Sequence, residues 1–287
     1  MCELINYKGI FFPTLSTTLK DLNFIENEFQ VRDDDIFNIT YPKSGTTWVT
    51  DIVSLIHTNG DPTWSKTVPN WDRMPWLESA YVSDRLQNEN SSPRLITSHL
   101  PKHLFSKSLS HSKAKVIYTV RNPKDVVVSL YYFSKMSVFF KEPDNFNEIV
   151  EEFLTGDLPY GSWFDHIKGW MELMGKDNFL LNTYEDLYED LRGSVIRISK
   201  FLGKNFDDAI IDSIVEHATF KSMKDNKMSN FTLLPGTYMD QDKSPFMRKG
   251  VTGDWKNHFT VVQSEYFDKI YKTKMHNYPV KFPWDRM

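Results

Sequence analysis

The sequence predicts an α/β fold, a single domain over 1–287 with a central, mostly parallel sheet flanked by helices. Three observations predict it. Short apolar runs rich in β-formers are each followed by a segment with helical periodicity. That grammar occurs three times along the chain. No linker, repeat or low-complexity tract separates two composition regimes. Strands alternating with helices build a parallel sheet covered on both faces.

The first unit begins after the acidic run Asp33 to Asp35, where Ile36 to Thr40 reads as a buried strand ending at Tyr41-Pro42. After Gly45, residues Trp48, Val49, Ile52, Val53 and Ile56 recur at helical spacing until Asn59-Gly60 stops the pattern. The second unit is a strand from Lys115 to Val120, then Arg121-Asn122-Pro123 and a helix through about Phe133. The third is a strand from Asn178 to Tyr184 and a helix from Leu187 to Leu202, closed by Gly203. Between the units, Asp144-Asn145 and Ser162 open helices that Gly156 and Gly175 close. Near the end, Thr260 and Gln263 make a capping-box pattern. Asn226 to Gly253 shows no period, and a loop that long inside one domain predicts a functional lid.

Composition narrows the function. Hydrophobic residues at 40% with 25% charged exclude disorder, and a net charge of -4 excludes a general nucleic-acid or anionic-membrane binder. Any anion site is therefore local. Met1 to Phe12 lacks the plan of a signal peptide, no run approaches a membrane span, and one cysteine, Cys2, fits a reducing compartment. These features predict a cytosolic (cytoplasmic) protein with neither nucleic-acid nor membrane partner. The 21 Phe, 13 Tyr and 8 Trp exceed ordinary aromatic bulk, which fills a core or lines an apolar pocket.

The first strand-helix junction, Tyr41-Pro42-Lys43-Ser44-Gly45-Thr46-Thr47-Trp48, is an anion cradle. Unpaired N–H groups and the positive end of the helix face that loop, Gly45 lets the backbone approach, and the hydroxyls add donors. It is not a Walker A loop, because the lysine precedes the glycine. Arg121 follows a strand and can fork onto a phosphate, while Arg248, Lys249 and the Gly250 N–H offer charge together with a backbone donor. His99 follows the strand-like Arg94 to Thr97, so it stands where parallel sheets display ligand sites. No metal is expected. His99 and His103 have i, i+4 spacing, but Pro101 stands between them and no cysteine cluster accompanies them.

Together these residues resemble the cytosolic sulfotransferase family. The octet is similar to its 5′-phosphosulfate loop, Arg121-Asn122-Pro123-Lys124-Asp125-Val126-Val127-Val128-Ser129 to its 3′-phosphate motif, and Arg248 to Lys256 to its carboxy-terminal signature. Ser-Pro-Arg-Leu at 92 to 95, Ser98-His99-Leu100-Pro101 and Tyr160 to His166 look most like the hydroxysteroid and bile-salt branch. The resemblance implies a P-loop-kinase-like sulfotransferase fold and sulfuryl transfer from 3′-phosphoadenylyl sulfate (PAPS) to a hydroxyl of an apolar small molecule. It implies His99 as general base, with Lys43 neutralising charge on the leaving oxygen. It places Lys43 to Trp48, Arg121, Ser129, Tyr184, Ala218, Met223, Arg248, Lys249 and Gly250 on the donor. Trp71, Trp76, Phe133 and Tyr238 would wall the acceptor, with the loop from Asn230 onward. Lys256, Thr260, Val261 and Glu265 fit the family's homodimer signature. Two positions depart from the pattern: Ala218 replaces a hydroxyl residue, leaving only a backbone contact, and Thr97 replaces a lysine found in the phenol and estrogen branches. Other alcohol or phenol acceptors, a P-loop kinase, and a noncatalytic nucleotide- or steroid-binding homologue remain as alternatives.

Overall fold

Strand Ile36–Thr40 lies between two parallel neighbours, Leu95–Ser98 and Lys115–Val120, and the latter pairs in parallel with Phe179–Thr183. With the amino-terminal pair Leu4–Tyr7 (β1) and Ile10–Pro13 (β2), these strands are β3 (Ile36–Thr40), β4 (Leu95–Ser98), β5 (Lys115–Val120) and β6 (Phe179–Thr183). The computed structural model describes residues 3–286, so Cys2 lies outside the described residues. The central sheet, ordered β4-β3-β5-β6, is wholly parallel; the only antiparallel strands among the described residues form the separate β1-β2 ribbon. That ribbon was not legible in advance, because its exposed face breaks the apolar run and Gly9 at φ 90° is its only turn signal.

Side chains alternate across the sheet as a pleat requires. Phe37, Ile39, Val116 and Tyr118 enter one core with the rings of Trp163, Phe164 and Trp170. Leu95 and Ile117 enter the other, beneath the helix Thr46–His57 that carries Val49, Ile52, Val53 and Ile56. Asn38 is a buried polar residue on β3; its Nδ2 donates to the Thr46 carbonyl at 3.0 Å and to Thr50 Oγ1 at 3.1 Å, fixing that helix to its strand. The helix after β5, Pro123–Met136, is capped by Asn122 and has Pro123 in its first turn. The helix expected from Leu187 to Leu202 is two, Tyr184–Glu189 and Leu191–Phe201. Asp190 divides them, ending the first and capping the second through Gly193 N–H at 2.8 Å. Apolar spacing runs across the break and conceals it.

Candidate active site

Register places the carboxyl ends of all four central strands together: Thr40 pairs with Thr119, Ile39 with Ser98, and Val120 with Thr183. The next residues out are Tyr41, Arg121, His99 and Tyr184. Above this edge lies a cavity of about 420 Å³, within the ordinary size for a small-molecule site.

One wall is cationic. Lys43, at φ 68°, and Gly45, at φ 107°, both sit in the left-handed region, which turns the loop sharply into the helix start. A Cβ on Gly45 would lie 2.9 Å from the Tyr184 ring, so only glycine lets the loop lie on that ring. Arg121 donates to the Lys43 carbonyl and to the Val251 carbonyl, each at 3.1 Å, with its guanidinium 4.0 Å from the Tyr184 ring centroid. It therefore clamps the first loop to the carboxy-terminal one. Arg248 and Lys249 both reach Asp254, at 2.7 and 2.6 Å. Burial would raise that carboxyl, but Lys249, Asn257 and Arg248 hold it well below the carboxylate range. Burial first, then the charges of Arg121 and Arg248, bring the Lys43 ammonium down to about 7. Ser44 Oγ and Arg121 Nε are buried without a protein partner. Gly250 closes against Phe220, where a Cβ would meet the ring at 2.0 Å. Cations in excess, the orphaned Arg121 Nε donor and two side-chain-free backbone positions fit a polyanionic ligand.

Trp48, Tyr184, Phe220, Met223 and Ser129 line the same cavity. Trp48 and Tyr184 meet edge to face at 5.2 Å. Ala218 does not line the cavity. Its carbonyl accepts the Trp48 Nε1–H at 2.7 Å, so it holds the tryptophan. Ser44 also lies outside the lining, buried beneath the loop.

The rest of the lining is largely aromatic. His99 Nδ1 is 2.8 Å from the Thr40 carbonyl, so the proton sits on Nδ1 and Nε2 keeps its lone pair. Its N–H donates to Glu78 Oε1 at 2.7 Å, and its carbonyl accepts from His166 Nε2 at 3.1 Å. Burial lowers the His99 imidazole to about 4, against the raising effect of Thr40, with Lys43 adding to the fall. His99 is thus a neutral base candidate, held at ring and backbone. Trp71, Trp76 and Phe133 line the cavity as expected. Tyr238 does not: it is 44% exposed and stacks on the outside of Phe139. Sequence reasoning missed Tyr160, whose ring meets His99 edge to face at 5.4 Å, and reached Phe231 and Phe246 only through the loop from Asn230 onward, without naming them. The latter two fall inside the aperiodic stretch read as a lid, where their aromaticity was the available signal.

The dimer-signature residues lie elsewhere, away from the cavity lining. Thr260 caps helix Val261–Lys274 with the expected box to Gln263. Lys256 and Glu265 are exposed, as are Val261 and Val262 at 74% and 75%. No group of three or more potential metal ligands occurs among the described residues. No helix among them is long and apolar enough to cross a membrane.

The sulfotransferase domain profile matches residues 33–279. The chain is 52% identical over 284 residues to sulfotransferase 2B1 of Rattus norvegicus, covering 99% of this chain and 83% of that protein. It is 48% identical to sulfotransferase 2A1 of Homo sapiens, covering 99% of each, and 46% identical to the 3-beta-hydroxysteroid sulfotransferase of Cavia porcellus, covering 97% of each. Among solved structures, mouse sulfotransferase SULT7A1 complexed with PAP superimposes with a TM-score of 0.81 at 32% identity, covering 99% of this chain and 98% of that one. A retinol dehydratase in complex with androsterone and the inactive cofactor PAP shares the fold, with a TM-score of 0.86 at 24% identity, 98% of this chain and 92% of that one being covered. A match running nearly end to end, at close to half identity, leaves one conclusion: the chain belongs to the sulfotransferase domain family.

Proposed function

We propose that this sulfotransferase uses its whole length as one catalytic unit to move a sulfuryl group from PAPS to a hydroxyl of an apolar acceptor, a hydroxysteroid or bile acid. The products are a sulfate ester and adenosine 3′,5′-bisphosphate. One observation carries the reading: a single cavity is lined both by Lys43 and Arg121 and by the Nε2-basic His99 among aromatic rings. A polyanion and an apolar alcohol would meet there. The name of the Cavia porcellus relative supports the steroid class, and the PAP-bound neighbour at 32% identity supports the donor.

In this reading the donor supplies an activated sulfur bonded to a phosphate oxygen. Lys43 to Thr47, Arg121, Ser129, Arg248, Lys249 and the Gly250 N–H hold its charged groups, and Trp48, Tyr184 and Met223 hold its adenosine. His99 takes the acceptor's hydroxyl proton on Nε2, and Lys43 offsets charge developing on the departing oxygen, a preorganised electrostatic contribution. Trp71, Trp76 and Phe133 exclude water around the alcohol. The exposed Val261 and Val262 support a homodimer through the Lys256–Glu265 segment, whose small size fits a weak association. Cytosolic residence rests on the lone cysteine, which suits a reducing compartment.

The test is transfer of labelled sulfate from PAPS to a panel of hydroxysteroids, bile acids, phenols and fatty alcohols. His99→Ala is expected to lower turnover about 100- to 10,000-fold while leaving affinity for adenosine 3′,5′-bisphosphate intact. An unchanged rate removes His99 as base, and absence of nucleotide binding by calorimetry removes the donor assignment.

A further inference from the structure

Lys43 Nζ has no hydrogen bond or ion pair among the described residues; it lies instead between two rings, 4.1 Å from the Phe133 centroid and 4.2 Å from that of Phe246. An ammonium between two aromatic faces is attracted by both quadrupoles. The two rings are not equivalent. Phe133 belongs to the helix Pro123–Met136, whereas Phe246 lies in the irregular stretch, where its N–H meets Gln241 Oε1 at 3.3 Å. Phe246 is also a wall of the apolar half of the cavity. Its ring packs 4.3 Å from Phe231, which neighbours Trp71 at 5.3 Å and Trp76 at 6.4 Å, and Trp76 is 6.1 Å from His99. One row of rings thus runs from the lysine to the histidine. The Lys43 backbone is held by Arg121 at its carbonyl, so the freedom in this assembly belongs to the lysine side chain and the Phe246 ring.

We propose that Phe246 is a positioning residue coupling acceptor occupancy to Lys43: an apolar alcohol entering beside Phe231 moves the Phe246 ring off the ammonium and frees Lys43 to face the donor. This rests on the donor and acceptor assignment above and adds a link between its two halves. The coupling is reciprocal, because any ligand that shifts the ring for one partner shifts it for the other. Filling the cavity changes the charge presented to the nucleotide, although the two ligands occupy different walls.

The test needs no turnover. In protein carrying 13C-labelled lysine, the Lys43 ε-methylene protons lie upfield of the other lysines because of the two ring faces. Adding pregnenolone, a 3-hydroxysteroid, without nucleotide is expected to move that resonance toward the ordinary lysine position, while quenching of Trp71 and Trp76 fluorescence reports steroid binding independently. Pregnenolone is expected to change affinity for adenosine 3′,5′-bisphosphate about fivefold in the natural protein. Phe246→Leu loses one ring's displacement from the outset together with the steroid-linked change in affinity, and Phe246→Tyr retains both. Steroid binding with an unmoved Lys43 signal, or coupling that survives in Phe246→Leu, overturns the proposal. Failure of the underlying assignment looks different: no quenching and no alcohol sulfated, which removes the coupling with it.

Discussion

Lys43 is a strained and electrostatically unusual residue. It holds a left-handed backbone, and burial together with Arg121 and Arg248 leaves its ammonium titrating at about 7 rather than 10.5. Near neutrality the ligand-free protein therefore carries Lys43 only partly charged. A polyanion reverses the balance that Arg121 and Arg248 impose and raises the ammonium's affinity for its proton. Binding of adenosine 3′,5′-bisphosphate at pH 7 to 8 is expected to take up a fraction of a proton from buffer. Calorimetry in two buffers of different ionisation enthalpy measures it, and Lys43→Met abolishes it. A heat that does not depend on the buffer means that Lys43 is fully charged beforehand. His99 behaves oppositely. With its proton lost at about 4, it keeps a basic Nε2 throughout the neutral range.

Among the elements, the irregular stretch from Asn226 to Gly253 is held at its start by a buried ion pair. Arg73 donates to Asp51 Oδ1 at 2.5 Å, and Ser229 donates to Asp51 Oδ2 at 2.5 Å; Asn70 N–H reaches the Met228 carbonyl at 2.8 Å. Burial pushes the Asp51 carboxyl upward against the pull of Arg73. Arg73→Met strands that carboxylate and is expected to cost about 3 to 5 kcal/mol by denaturant unfolding. Replacing Asp51 by Leu in the same chain should recover much of the loss, because the uncompensated charge goes with it. If the double variant is no better than the single one, packing of the arginine dominates. The strand-helix junctions were legible because each carries its own local signal: Gly45 for the tight loop, Asn122-Pro123 for the helix start, Thr260 and Gln263 for the last cap. The cavity's aromatic row was legible only in part: the resemblance pointed to Trp76, but Phe231 and Phe246 join it only through tertiary packing, and nothing local distinguishes Phe246 from a core phenylalanine. The proposal of His99 as base comes from its motif, while the support that Glu78 and His166 give it comes from contacts 21 and 67 residues away.

For the whole molecule, four buried groups around the sheet edge set opposing pH dependences. Burial raises Glu78 and Glu185 from 4.5 to about 7, so the stability that they contribute is complete below 4.5 and is lost as pH rises through 7. Burial lowers His99 and His166 from 6.5 to about 4 and about 3, so their contribution is complete above 6.5 and is lost as pH falls through those values. The two slopes oppose each other between 4.5 and 6.5. Glu78→Gln keeps the acceptor for the His99 N–H but removes the ionisation. Relative to the natural chain it is expected to gain stability as pH rises from 5 to 8, by up to about 3 kcal/mol. A constant difference across that range means that Glu78 is ionised in the folded chain throughout.

Each strand of β4-β3-β5-β6 ends in one chemically distinctive residue or loop, whereas the rings that would touch an acceptor lie outside those strands, Trp76 alone bridging to Thr97 of β4. Appetite and engine are therefore built from separable parts. Natural variation or a protein engineer can exchange the upholstery contributed by residues 226–245 and retune which alcohol fits, while Phe246, lying on Lys43, is the one fastening shared with the chassis that grips the nucleotide.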